Sequence, residues 1–599
     1  MAAAKSPDDS LQTVISFEVK VGGSALPTGM VVLKLHVKLE VNKIARAYIS
    51  ILGGKSYENL FPESEEAIFA PGKDVEISIG YAQKNVKVFS GIITKHSLDI
   101  STNYLSYSSR NLLLLEASDK AIKMTVGKKS EIYEAKKDSD IITTLLSTAG
   151  LTKTVTATTL SHTLISRHNC SDWEFMLNRA KANGMVILNA MGAVTVIAPK
   201  SSGTAALTVT YGKDIKTFRG DLDASSQLQG VEAINYDIYS ELEVKQTGAD
   251  SSFNIPGSIT GSELGKVAAA TTVSLNVPVP VLTQELKGHA DALLAASRLR
   301  RMNGEMSFRG STDVTLGCYI TLAGFGKLFN GLVYITGVEH LVENGQFVTK
   351  ASFGLKPEIF SATLHPELNL LPPIAGLHVG IVKKLDADPD KKNRIQVMIP
   401  ALKSTGSGIW AMLGHFHAGK SSGSFFVPEL NSEVIVGFIN DDPRFPVVLG
   451  SLYSKNNTPL ETFTADNFIK SIVTKGGTRL EFEDKDKTFK VITPGKNMIF
   501  ISDKDKGVKI EDQNGNKIVT SATGISLDSD KDIKITAAGN LELTGTKGVK
   551  VTSSSGDVTI SGKNATLKGS AKVEVNGSAG ADIKSSSAIN IKGSMVNVN

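Results

Sequence analysis

The stretch NLELTGTKGVKVTSSSGDVTISG, residues 540–562, repeats one small design: two apolar residues flanking a polar one, then a few Gly, Ser, Thr or Lys, then the apolar pair again. The pair starts at Val508, Ile525, Ile533, Leu541, Val549, Val558, Val573, Ile589 and Val596, with steps of eight from 525 to 549. Ala581/Ile583 falls midway between two of these, and Ala565/Leu567 fits with a slip of one residue. A period of two inside each pair means a short strand with both apolar side chains on one face. One such unit cannot bury its face alone, so units must stack. From Ile501 to Asn599 there is no Phe, Trp, Tyr, Pro, His, Cys or Arg, so only Val, Leu, Ile and Ala are available for a narrow core. Two architectures satisfy this: a single-chain solenoid, or three chains wound round one axis. Eight-residue steps favour the intertwined trimer, because single-chain triangular helices usually advance by six. Its core would be Ile533/Ile535, Leu541/Leu543, Val549/Val551, Val558/Ile560, Val573/Val575 and Ile589/Ile591. The tip would be Met595, Val596, Val598 and Asn599. The 13 Lys and 11 Asp plus Glu between 501 and 599 fit a solvated exterior and argue against a nucleic-acid stalk.

The remaining chain is long enough for several cores. At 599 residues it predicts about four domains of ~150 residues. A net charge of +5 is too weak to indicate a nucleic-acid or membrane footprint. Two cysteines, Cys170 and Cys318, do not make a disulfide framework. The start, MAAAKSPDDSLQ, lacks the apolar segment of a signal peptide, and no apolar run approaches membrane-spanning length. The expectation is synthesis in the cytoplasm without a cleaved signal, with any export by another route.

Residues 13–118 alternate apolar and polar as strands. Helices are predicted over 138–150, capped by Asp138, and from Ser171 to Gly184, where Ser171 and Glu174 form a capping-box pattern. A longer helix is predicted over 283–304, with Asn303-Gly304 as its stop. LNLLPPIAG (368–376) marks a boundary, and six short strands within 377–453 suggest a small barrel.

SFFVPELNSEVIVGFINDDPRFPVVLGSLYS (424–454) resembles the VgrG spike family of contractile injection systems, hub–needle fusions similar to contractile phage tail spikes. The matched positions are Pro428, Glu429, Glu433, Asp442, Pro443, Pro446 and Gly450, which are structural landmarks; Asn431-Ser432 replaces the family's Gly-Asp turn. NRIQVMIPAL (393–402), PGKDVEISIGY (71–81) and the Ser171–Gly184 helix with Trp173 fit the same pattern. The resemblance implies a mostly β homotrimer with α insertions. Residues 1–370 would form hub β-barrel domains, 371–455 an OB-fold, 456–507 a neck and start of the needle, and 508–599 a triple-stranded β-helix needle. It implies a non-enzymatic spike without cofactor or metal, joining an inner tube and baseplate to a membrane-puncturing needle. Its partners would be a PAAR-like tip cap, effector cargo and the target membrane, with no nucleic acid; the particle would deliver it outside the cell or into a target cell. The family includes both type VI secretion systems and extracellular injection particles, and the chain resembles members without a fused toxin.

Three motifs suggest chemistry and are better read otherwise. GHFHAGKS (414–421) fits a phosphate-loop expression, but SSGSFFVPEL follows Lys420 where a helix is required. His415 and His417 could share a face, yet no third metal ligand is near in sequence. DADPD (386–390) opens like a calcium loop and then places Lys391 where glycine is needed. A trimeric adhesin or receptor-binding fibre is the alternative for the β-helical stalk; it would need a receptor-binding head that no region clearly supplies.

Overall fold

A computed structural model describes all residues except 1–4, 9–13, 56–57, 102–109, 200–201, 251–255, 269–270, 356–370, 403–407 and 599. The chain divides into two units, Met1–Pro459 and Leu460–Asn599. Among the described residues of the first unit there are five α-helices: α1 Pro62–Glu65, α2 Asp138–Thr148, α3 Asp172–Ala182, α4 Gly261–Ala268 and α5 Thr283–Arg300. The rest of that unit is mostly strand.

The centre of the first unit is a thirteen-stranded sheet built from distant parts of the chain. Its joint is the antiparallel pairing of Gly331–Glu343 with Val31–Glu40, in which Gly337 faces Glu40 and Glu343 faces Lys34. The alternating sequences bury one set of residues, including Leu35, Val37, Ile49, Ile51, Ile77, Ile79, Phe308 and Phe353. That is the period-two pattern of strands with one face on a core.

A second core collects α2 and α3 over the sheet Val186–Ala190, Ala193–Ile197 and Thr152–Val155. α3 begins as its sequence dictates: the Ser171 hydroxyl accepts from the Glu174 amide, and the Glu174 carboxylate accepts from the Ser171 amide. α2 begins differently. Asp138 is its first residue rather than its cap, because its carboxylate is taken by Arg179. α5 also departs from expectation. It ends at Arg300, and Asn303-Gly304 lies inside the strand Met302–Arg309. Gly304 permits close strand approach there, since a Cβ would lie 2.2 Å from the Arg219 carbonyl oxygen.

Residues 378–451 close into a five-stranded barrel, ordered His378–Lys384, Ile395–Met398, Ile409–Leu413, Pro446–Ser451 and Glu433–Phe438. Val382, Val397, Ala411, Val434, Val436 and Val448 fill it. The sixth strand expected over 423–430 is absent from the barrel; beyond the two-residue pairing at Ser422–Gly423 the segment carries no ladder, and Pro428 has no amide to donate to one.

The second unit opens with a meander of seven five-residue strands from Ile469 to Asp528, each antiparallel to the next. Val508 and Ile525, at the head of the eight-residue repeat, therefore sit in hydrogen-bonded strands of one chain. From Ser529 to Val598 no strand ladder occurs among the described residues.

Candidate functional site

Three features of the chain could serve a function: a buried ionic junction, the barrel with its landmarks, and the C-terminal apolar strip.

The junction starts from Asp138 on α2. Arg179 of α3 donates to it from Nε at 2.6 Å and from Nη2 at 3.0 Å. Asn183 Nδ2 donates at 2.8 Å, and His162 Nε2 lies 3.0 Å away. Burial alone would push the Asp138 carboxyl up; Arg179 and His162 hold it well below the usual range. Glu285 of α5 repeats the arrangement with a cation from the barrel. Arg444 Nη1 donates to its Oε1 at 2.8 Å, with His289 Nε2 at 3.5 Å. Burial opposes the charge on Glu285, and Arg444 overcomes it and holds the carboxyl low. Burial would lower the Arg444 guanidinium, but Asp442 and Glu285 raise it above its ordinary value. A cavity of about 300 Å³ lies beside these groups, lined by Asp138, His162, Arg179, Glu285 and His289 among others. The arrangement is a set of paired charges that ties α2, α3, α5 and the barrel loop together. Among the described residues, no group of three or more His, Cys, Asp and Glu is placed to hold a metal.

The barrel landmarks occupy turns and strand ends. Glu433 opens its strand and faces Ile381. Pro446 starts the closing strand opposite Phe438, and Gly450 faces Ile435 beside a register shift. Asp442 is nearly buried and binds Arg444 with both oxygens, Nε to Oδ1 at 3.0 Å and Nη2 to Oδ2 at 2.8 Å. Pro443 is the residue between them. Pro428 and Glu429 precede the turn at Asn431, which has φ of 65°. Sequence reasoning missed Arg444, Glu285, His289 and Arg179. The only local signal was Glu285 and His289 four apart on one helix face.

The phosphate-loop stretch is a hairpin. Ala418–Gly419 pairs with Ser422–Gly423, and Ser421 takes φ of 59° between them. Strand, rather than a helix N-terminus, follows Lys420. His415 stacks on Phe425, and His417 is exposed. In DADPD, the Arg394 guanidinium occupies the carboxylates where a calcium loop would hold its metal ion: its Nη2 lies 2.6 Å from Asp388 and 2.7 Å from Asp390. Cys170 and Cys318 are free thiols.

Within one chain none of the pairs of the apolar strip is buried. The first residues of the pairs, Ile533, Leu541, Val549, Val558, Val573, Ile589 and Val596, are 50–58% exposed. The second residues are more open still: Ile535 is 64% exposed, Leu543 70%, Val551 70%, Ile560 84%, Val575 71%, Ile591 68% and Val598 87%. The physical reason is that a single strip has no second apolar face to meet. Both residues of a pair point the same way, and beyond Ser529 no ladder folds one described segment of the chain against another. Leu543, Val551, Ile560 and Val575 therefore line an open face of the lone chain rather than a core. Met595 is exposed too, and Asn599 lies outside the described residues. Beyond Val448, no hydrophobic side chain among the described residues is buried. The meander adds an apolar groove of about 630 Å³ lined by Val491, Met498, Ile499, Ile510, Ile518 and Leu527 among others.

Residues 11–344, more than half of the chain, match the family model described as the Alg8 N-terminal domain. Residues 378–453 match the type VI secretion system/phage-baseplate injector OB domain. The type VI secretion system spike protein VgrG1a of Pseudomonas aeruginosa is 33% identical over 81 residues, which are 13% of this chain and 13% of that protein. A protein of Vibrio cholerae named actin cross-linking toxin VgrG1 is 30% identical over 106 residues, 16% of this chain and 10% of that one. The matches thus span only a small part of these relatives' length. The solved Francisella PdpA–VgrG complex, half-lidded, aligns over 86% of this chain and 88% of that chain, at 10% identity and a TM-score of 0.49. The chain belongs to the Alg8 N-terminal domain family, and over the injector OB domain that follows it is similar to VgrG spike proteins of type VI secretion systems.

Proposed function

We propose that three copies of this chain form the hub and needle of a contractile injection machine. Residues 1–370 would be the hub that docks on the inner tube and baseplate, 371–455 the OB-fold, 456–507 the neck and 508–599 the needle. The observation that carries this reading is the absence of any buried apolar side chain beyond Val448 among the described residues, in a segment that nonetheless repeats apolar pairs every eight residues. Burying a Val, Leu or Ile is worth roughly 1.5–3 kcal/mol, and a lone chain forgoes that at every pair. Three strips meeting on an axis would recover it, and their strands would pair between chains and leave few free edges. The needle core would be the pairs from Ile533/Ile535 to Ile589/Ile591, so Leu543, Val551, Ile560 and Val575 would be covered by the two other copies. A PAAR-like cap would sit on Met595, Val596, Val598 and Asn599.

The mechanism in this reading is mechanical. Contraction drives the tube forward, and a slender, cross-bonded needle concentrates the force on a target membrane, carrying cap and cargo outward. No catalytic step is assigned. No helix among the described residues is long and apolar enough to cross a membrane.

Negative-stain imaging tests the proposal. Full-length particles are expected to carry a thin straight rod, and a chain ending at Asp528 should keep the head and lose it. Rodless full-length particles would overturn the needle assignment.

A further inference from the structure

We infer that each barrel hooks onto the next copy of the chain, with the hairpin aromatics Phe416, Phe425 and Phe426 of one copy seated on the face formed by Leu377, Gly437 and Leu449 of its neighbour. The inference rests on the multi-copy assembly proposed above and names a second contact within it.

The hook is preformed. Phe416 is 101% exposed, Phe425 85% and Phe426 66%. Aromatic side chains carry a large apolar payload and are costly to leave in water. Here three of them stand on one braced turn. The two-residue ladder at Ala418–Gly419 and Ser422–Gly423 is extended by the Ser424 amide, which donates to the His417 carbonyl at 2.9 Å. The His415 ring stacks on Phe425.

The acceptor lies on the outer face of the barrel. His378 faces Val436, which puts Leu377 beside Gly437, and Gly437 faces Val447, two residues before Leu449. Val436 and Val448 are fully buried, so the alternation of a strand turns Gly437 and Leu449 outward. A Cβ on Gly437 would lie 3.4 Å from Leu449 Cδ1 and 3.6 Å from Leu377 Cδ2. The glycine therefore leaves a notch floored by backbone and walled by two leucines, themselves 64% and 55% exposed.

The exposures also show that hook and notch do not cover each other within one copy. Two unlike, complementary patches on one chain are what a cyclic assembly requires, because its interfaces are head-to-tail; a twofold dimer would instead use one patch against itself. Three phenyl rings of roughly 150–250 Å² each would bury about 500 Å² per hook. That is a sizeable part of the ~800 Å² each partner gives to a standard interface, with the C-terminal strip adding the rest.

The test uses full-length chains carrying two different tags, one with Phe416→Cys and the other with Leu449→Cys, co-assembled and treated with a short bismaleimide. The parent chain with only Cys170 and Cys318 is the control. Products carrying both tags should exceed Phe416-to-Phe416 products severalfold, and Phe425→Ser/Phe426→Ser in the hook-bearing chain should abolish the excess while leaving Trp410 fluorescence unchanged. If the chains assemble as trimers but cross-link no better between hook and notch than between hooks, the hook is refuted and the trimer stands. If the mass in solution is that of one chain, both readings fail.

Discussion

Arg444→Met should weaken the joint between the barrel and α5 more than any single surface change. Arg444 donates to Glu285 at 2.8 Å and binds both oxygens of Asp442, and all three side chains are at most 8% exposed. Methionine fills much of the arginine volume, so the loss is chiefly electrostatic. Glu285 would keep only two histidines nearby, His289 Nε2 at 3.5 Å and His162 Nδ1 at 3.9 Å. Asp442 would keep the Arg444 backbone amide at 2.9 Å, which methionine also supplies. Breaking a buried pair in this way costs ~3–5 kcal/mol, and the unfolding midpoint should fall by on the order of 10 °C. The chain has two tryptophans, Trp173 on α3 and Trp410 on a barrel strand, so fluorescence with and without Trp173→Phe separates the two sides of the joint. Glu285 is held below its ordinary pKa, so its contribution is present above the unfolded value near 4.3 and is lost as pH falls below it. In the variant, Glu285 lacks its cation and is relieved by protonation, so the gap from the parent should narrow below about pH 4. Glu285→Gln with Arg444→Met should recover much of the loss, giving a coupling energy of ~2–3 kcal/mol. A single-variant loss below ~1 kcal/mol, or a coupling energy near zero, would refute the reasoning.

Other outcomes follow from the same physics. Val549→Asp with Val558→Asp should disrupt the proposed assembly while leaving unfolding of the first unit unchanged; light scattering and Trp fluorescence report the two separately. Ser171→Ala removes one arm of the α3 capping box and should cost ~1 kcal/mol in denaturant unfolding. Burial lowers the His340 pKa to about 4, so the folded state keeps it neutral. The stability of the first unit should therefore fall as pH drops from about 6.5 toward 4, by on the order of 3 kcal/mol in all from this group, and His340→Gln should flatten that slope.

The sequence made some of this architecture readable and hid the rest for identifiable reasons. The Ser171–Glu174 capping box and the two helices at 138–148 and 172–182 depend on neighbours within about one turn, and local pattern exposes them. The eight-residue strip is equally local, but its burial is not. The repeat says that Leu543, Val551, Ile560 and Val575 share a face with their pair-mates, and it does not say what covers that face, which is open in the single chain. The central sheet is different: Val31–Glu40 finds Gly331–Glu343 across three hundred residues, and alternation says which face is buried but not which strand lies alongside. Asp138 looks like a cap because aspartate before an apolar run usually is one; Arg179, forty-one residues away, claims the carboxylate instead. Asn303-Gly304 looks like a helix stop, but its glycine serves strand packing against Arg219. Arg444 gives no local sign of Glu285, 159 residues earlier, so the joint appears only when the fold brings them together.

Whether two other chains complete the exposed strip of the first is tested most directly by light scattering of the full-length chain at micromolar concentration. The expected mass is three times the 63.7 kDa of one chain, falling when the apolar pairs from Ile533 to Ile591 carry aspartate. A stable monomer of the unaltered chain would contradict the trimeric needle.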